Sequence, residues 1–113
     1  MLPPKVLVIA GSVRARSYNG RLAALATREL TLAGAEVTCI SLLDYPLPIY
    51  DADAAERSGP PPNALKLKQL LVAHQGVFIA SPEYNASITP LTKNTIDWIS
   101  VVRERGEAQL AMY

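Results

Sequence analysis

Short runs rich in β-branched and aliphatic residues alternate along this chain with segments whose apolar residues recur at helical spacing. That alternation leaves few folds open. Lys5-Val6-Leu7-Val8-Ile9-Ala10, Glu36-Val37-Thr38-Cys39-Ile40-Ser41-Leu42 and Gly76-Val77-Phe78-Ile79-Ala80 read as strands, apolar enough to be buried. Between and after them, Leu22, Leu25, Ala26, Leu30 and Ala33 mark one helix, and Leu67, Leu70 and Leu71 a second, from about Asn63 to His74. Leu91, Thr95, Trp98, Ile99 and Val102, widened by Ile96, mark a third. Ser17 or Asn19 suits the start of the first helix and Gly34 its C′ position; Thr89 caps the last helix, with Pro90 at its first turn. The order β-α-β-α-β-α predicts an α/β fold, a parallel sheet with helices on both faces. Right-handed crossovers favour the doubly wound arrangement, with strand order 2-1-3. In that order strands one and three lie side by side, so the loops that follow them meet at one crevice.

The chain has 113 residues, the size of at most one domain, and half of them are hydrophobic, so a packed core is possible. A net charge of +1 gives no case for nucleic acid or a membrane surface as partner. The distribution is less even than the total. No acidic residue precedes Glu29, while Lys5, Arg14, Arg16, Arg21 and Arg28 all fall in that span. A cationic first loop in a balanced chain points to a small anionic ligand. Cys39 alone can form neither a disulfide framework nor a metal cluster, and its strand position predicts a core-filling role. No segment has the length and apolarity of a membrane span, and the expected compartment is the cytoplasm. His74, near a helix C-terminus, reads as structural, and Trp98 as core or interface. The connection from Leu43 to Pro62 holds five of the nine prolines and is long enough to have a function or to cover an interface.

The two loops carry the chemistry. The first, Gly11-Ser12-Val13-Arg14-Ala15-Arg16-Ser17-Tyr18-Asn19, offers hydroxyls, an amide, a guanidinium and the N–H groups of a helix start. That donor set suits a phosphate monoester, although a solvated turn with an ordinary cap would read similarly. It has neither the Gly-Lys-Ser/Thr ending of a P-loop nor the glycine spacing of a dinucleotide fingerprint. The second, Ser81-Pro82-Glu83-Tyr84-Asn85-Ala86-Ser87, combines an aromatic wall with amide and hydroxyl groups, a set that fits a flat heterocycle. Glu83 can orient that loop, pair across a subunit interface or contact ligand. A phosphate clamp beside a planar-ring loop at a switch point favours flavin mononucleotide (FMN) over a free nucleotide.

These residues also form a recognisable pattern. Gly11-Ser12-x-Arg14-x-x-Ser17-x-Asn19 followed by Leu22-Ala23, and Pro82-Glu83-Tyr84-Asn85-x-Ser87 followed by Lys93-Asn94-x-Ile96-Asp97-Trp98, resemble the two signatures of the NADPH-dependent FMN reductase family. Leu47-Pro48 and Pro60-Pro61-Pro62 add to the likeness, which extends from Lys5 to about Arg103. The resemblance implies a flavodoxin-like fold and an enzyme that passes hydride from NADPH or NADH, through FMN, to a small-molecule electron acceptor such as a quinone. It implies that Ser12, Arg14, Ser17 and Asn19 hold the FMN phosphate. Pro82, Glu83, Tyr84, Asn85 and Ser87 then line the ribityl chain and ring. It implies no catalytic side chain and no metal, and a homodimer or homotetramer for the full-length protein. Thr92 departs from the pattern by replacing an apolar residue, and is expected to affect packing without touching the site.

Flavodoxin-like sheets have five strands, in the order 2-1-3-4-5; three are legible here. The expectation is that residues 1–113 form the N-terminal portion of a single FMN-binding domain, through truncation, a frameshift or an incomplete gene sequence. Val77 to Ala80 then form an exposed apolar edge. Two other readings stay open: a flavodoxin-like electron carrier, and an inactive fragment whose flavin pocket is incomplete.

Overall fold

A computed structural model describes residues 2–11, 18–81, 83–84, 87–88 and 90–102. The elements are β1 (Lys5–Ala10), α1 (Tyr18–Leu32), β2 (Glu36–Ser41), α2 (Ala52–Ser58) and α3 (Pro62–Val72). They continue with β3 (Gly76–Ala80), β4 (Glu83–Tyr84), β5 (Ser87–Ile88) and α4 (Pro90–Val101). β1 lies at the centre of a three-stranded sheet in the order β2-β1-β3, parallel to both neighbours. That is the predicted order. β4 and β5 form a separate antiparallel ribbon within the second loop, with Tyr84 opposite Ser87.

The period of two along a strand divides β1 between two cores. Val8 packs with Ala23 and Ala80, supported by Val6, Ala10, Leu30 and Val37, under α1. Leu7 and Ile9 join Leu42, Leu67 and Ile99 on the opposite face, under α3 and α4. Leu7 and Val8 are both wholly buried, which explains why β1 reads as a continuous apolar run. A third cluster, of Ala64, Trp98 and Val102, holds Leu47, Tyr50 and Ala55 of the long connection against the helices.

The α1 terminus follows its sequence signal. Gly34 takes φ 100°; its N–H donates to the Thr31 carbonyl at 3.1 Å, and the Ala35 N–H to that of Leu30 at 3.0 Å. This Schellman pairing satisfies two terminal carbonyls. At the other end, Asn19 lies inside the first helical turn and so is not the cap; Ser17 lies outside the described residues, as does Thr89. Pro90 does open α4.

Several elements differ from the sequence reading. The α1 packing face centres on Ala23, with Ala26, Thr27 and Leu30 half-buried, whereas Leu22, Leu25 and Ala33 are exposed. A small residue lets the helix approach the sheet closely, and the flanking leucines then splay past its edges. Cys39 is exposed, not core-filling. It sits on edge strand β2, and α1 covers its face of the sheet closer to Val37 and Val8. β2 ends at Ser41, whose side chain accepts from the Leu43 N–H and starts a 3₁₀ turn over Leu42–Asp44.

The proline-laden connection contains a helix, α2. Asp51 caps it by accepting from the N–H groups of Asp53 and Ala54, and Gly59, at φ 73°, ends it. α3 begins at Pro62, not Asn63, and stops at Val72; Asn63 donates instead to the Pro46 carbonyl at 2.8 Å. His74 donates from Nδ1 to the Leu70 carbonyl, the structural role expected of it.

On β3, Val77, Phe78 and Ile79 are 44%, 37% and 39% exposed, as expected of an uncovered edge. Ala80, by contrast, is buried against Val8 and Ala23. No helix among the described residues is long and apolar enough to cross a membrane.

Candidate functional site

Because β1 and β3 are adjacent and parallel, both loops leave the sheet at the same edge. The junction is tight: the Gly11 N–H donates to the Ala80 carbonyl at 2.8 Å, continuing the ladder one residue past the end of β1. Ser12, Arg14 and Ser17 begin immediately beyond Gly11 but lie outside the described residues, as do Pro82 and Asn85. Asn19 is half-buried in the first turn of α1. Glu83, Tyr84 and Ser87 are placed by backbone, in the β4–β5 ribbon.

The first turn of α1 holds no acidic residue, so no carboxylate of that turn offsets the positive end of its dipole. Arg21 adds a cation there, its guanidinium 5.6 Å from the centre of the Tyr18 ring. The backbone approach is equally specific. A Cβ added at Gly11 would stand 2.5 Å from Thr92 Oγ1, so only glycine lets the start of α4 come this close to the end of β1. A cationic helix start and crowded glycine backbone at a strand-to-helix turn suit a phosphate monoester, and FMN carries one. The residues present therefore fit that group.

Thr92 is the residue whose place the sequence reading missed. It is buried, and its hydroxyl lies 3.1 Å from Ser81 Oγ and donates to the Gly11 carbonyl at 3.4 Å. It therefore touches the first residue of each loop, where a role confined to packing was expected. A signal existed, since Thr92 breaks an apolar pattern, but only the fold brings residues 11 and 81 to it.

The second half of the second signature serves the scaffold. Asn94 Oδ1 accepts from the Tyr50 N–H at 2.7 Å, and Nδ2 donates to the Pro48 carbonyl at 2.9 Å. Trp98 Nε1 donates to the same carbonyl at 2.8 Å, and its ring meets Tyr50 edge-on with centroids 5.0 Å apart. Lys93 pairs with Asp97 one turn on, in an exposed i,i+4 bridge. Between connection and helix lies an open cleft of about 480 Å³ lined by Ile49, Tyr50, Leu91 and Asn94 among others.

Residues 4–111 match the family described as NADPH-dependent FMN reductase. The chain belongs to that family. It is 37% identical over 97 residues to the quinone reductase of Escherichia coli (strain K12), which covers 85% of this chain and 50% of that protein. It is 38% identical over 96 residues to the NADPH-dependent FMN reductase ArsH of Rhizobium meliloti (strain 1021), covering 85% and 37% respectively. Among solved structures, FerB, a flavoenzyme NAD(P)H:(acceptor) oxidoreductase from Paracoccus denitrificans, superposes with a TM-score of 0.69 at 30% identity. That match covers 94% of this chain and 54% of the other. The fold is accordingly that of the flavodoxin-like reductases, here in three βα units. The chain spans about half the length of the first curated relatives it matches.

Proposed function

We propose that this chain carries the FMN-binding half of an NAD(P)H-dependent oxidoreductase that reduces a small acceptor of the quinone class. The observation that carries the reading is the junction of Gly11 with Ala80, at the point where both family signatures leave the sheet. In this reading Ser12, Arg14, Ser17 and Asn19 hold the phosphate, the guanidinium as an ion pair and the others by hydrogen bonds to the anion. Pro82, Glu83, Tyr84, Asn85 and Ser87 line the ribityl chain and ring. Bound FMN would supply hydride acceptance from NADPH or NADH and delivery to the second substrate. The protein's share is to bind, to orient and to limit water at the ring, so no side chain is assigned as acid or base.

Residues 1–113 act in this reading as the N-terminal portion of one flavodoxin-like domain. The exposed Val77–Ile79 edge supports it, because a further strand there would cover apolar surface. A homodimer or homotetramer and a cytoplasmic location, where NAD(P)H is supplied, complete the proposal. The test is titration of this chain with FMN, followed by quenching of flavin fluorescence. Saturable one-to-one binding, weakened about tenfold or more by Arg14→Ala, is the expected result. Binding indifferent to Arg14→Ala would remove the phosphate assignment. No binding by a folded chain would favour the inactive-fragment reading.

A further inference from the structure

We infer that Thr92 is a positioning residue, a polar clamp whose hydroxyl sets the separation of the two flavin-binding loops at their bases. The inference rests on the flavin reading above for its functional consequence, but its geometry stands apart from that reading. Thr92 is 3% exposed, in the first turn of α4. A carbonyl only accepts, so the Thr92 proton points to the Gly11 oxygen at 3.4 Å, and Ser81 Oγ donates to Thr92 at 3.1 Å. Both contacts are long for O–H···O bonds, the first markedly so. Neither is strong alone; their value lies in joining three segments distant in sequence.

Gly11 opens the first loop, Ser81 opens the second, and α4 follows it, so one hydroxyl joins all three. The missing Cβ at Gly11 is the second observation. Thr92 Oγ1 would lie 2.5 Å from it, so the close approach of helix and strand depends on a matched pair of residues. An apolar side chain at position 92 could fill the space, but it could not tie the Gly11 carbonyl to the Ser81 hydroxyl. A phosphate on one loop and a ring on the other are tethered by one ligand, so the two loops must be held within its span. A clamp at the loop bases therefore reduces the ordering that binding requires.

The deciding comparison is Thr92→Val against Thr92→Ser in the full chain, because the first keeps the volume and the second keeps the hydroxyl. Two readouts are used: FMN affinity by fluorescence quenching, and amide hydrogen exchange of Gly11 without flavin. A clamp predicts that Thr92→Val weakens FMN binding and speeds Gly11 exchange, each by roughly five- to tenfold, the loss of about one hydrogen bond. Thr92→Ser stays within about twofold of wild type on both.

The opposite ranking, with Val harmless and Ser damaging, would show that Thr92 only fills space and would overturn the inference. So would two variants that leave Gly11 exchange unchanged. If the wild-type chain folds but binds no FMN, the inactive-fragment reading is favoured, and the clamp is judged on Gly11 exchange alone. Should Thr92→Val not fold, Thr92→Ser decides: wild-type exchange supports the clamp, and accelerated exchange refutes it.

Discussion

Asn94→Ala should loosen the long connection from α4, and the structure indicates by how much. The amide makes two bonds, accepting from the Tyr50 N–H at 2.7 Å and donating to the Pro48 carbonyl at 2.9 Å. Their losses are unequal. The Pro48 oxygen keeps the Trp98 indole donor at 2.8 Å, so that bond costs about 0.5–1 kcal/mol. The half-buried Tyr50 N–H loses this acceptor, at a cost of about 1–2 kcal/mol. The sum, about 1.5–3 kcal/mol, corresponds to a fall in Tm of roughly 10 °C for a chain of this size. Asn94→Asp keeps the acceptor and removes the donor, so it should lose about 1 kcal/mol. Thermal unfolding followed by circular dichroism and by Trp98 fluorescence, the single tryptophan of the chain, measures both. A cycle with Trp98→Phe sharpens the test. With Asn94 removed, Trp98 is the remaining one of these two donors to Pro48, so the double variant should exceed the sum of the singles by about 1 kcal/mol. An Asn94→Ala variant that melts within about 2 °C of wild type, or strictly additive variants, would refute the reasoning.

Two further substitutions separate steric from conformational needs for glycine. Gly11→Ala should cost about 1–3 kcal/mol by overpacking against Thr92. Because the crowded atom is the Thr92 hydroxyl, Thr92→Ala should relieve part of that cost; urea unfolding of both singles and the double would show a coupling of about 1 kcal/mol. Gly34→Ala meets nothing within 4 Å but must adopt φ 100°, so its cost, about 1 kcal/mol, should be purely backbone strain. A fall in Tm of roughly 5 °C, less for Gly34→Asn, is the expected result.

These contacts show the division of labour in the second signature. Lys93 and Asp97 form an exposed pair of small energetic consequence. Asn94 and Trp98 face the connection and hold Pro48 and Tyr50 in place, while Thr92 faces the sheet edge and reaches the base of both loops. A short helical segment thus organises structure on two sides, because residues two apart on a helix project in different directions.

Much of the architecture is legible in the residues alone. Strand period, turn residues and the alternation of elements depend on local chemistry, so β1, β3, the Gly34 terminus and Pro90 at the start of α4 follow directly from them. The 2-1-3 order also follows, since crossover handedness leaves little choice. α2 is encoded just as locally, by Asp51 and Gly59 as cap and stop, but the prolines around it mask the signal.

What tertiary structure alone decided has a common physical reason. Whether Leu25 or Ala23 faces the sheet, and whether Cys39 is covered, depends on how closely one helix sits over a particular patch of strand, which local periodicity does not encode. The same holds for Thr92: its sequence neighbours describe a helix start, whereas its partners are 81 and 11 residues away in the chain and meet it only because β1 and β3 lie side by side. The sequence by itself determined the kind of elements, their order and the family. The approach of Gly11, Ser81 and Thr92 was settled by packing, through a buried hydroxyl and a missing Cβ that match each other across the fold.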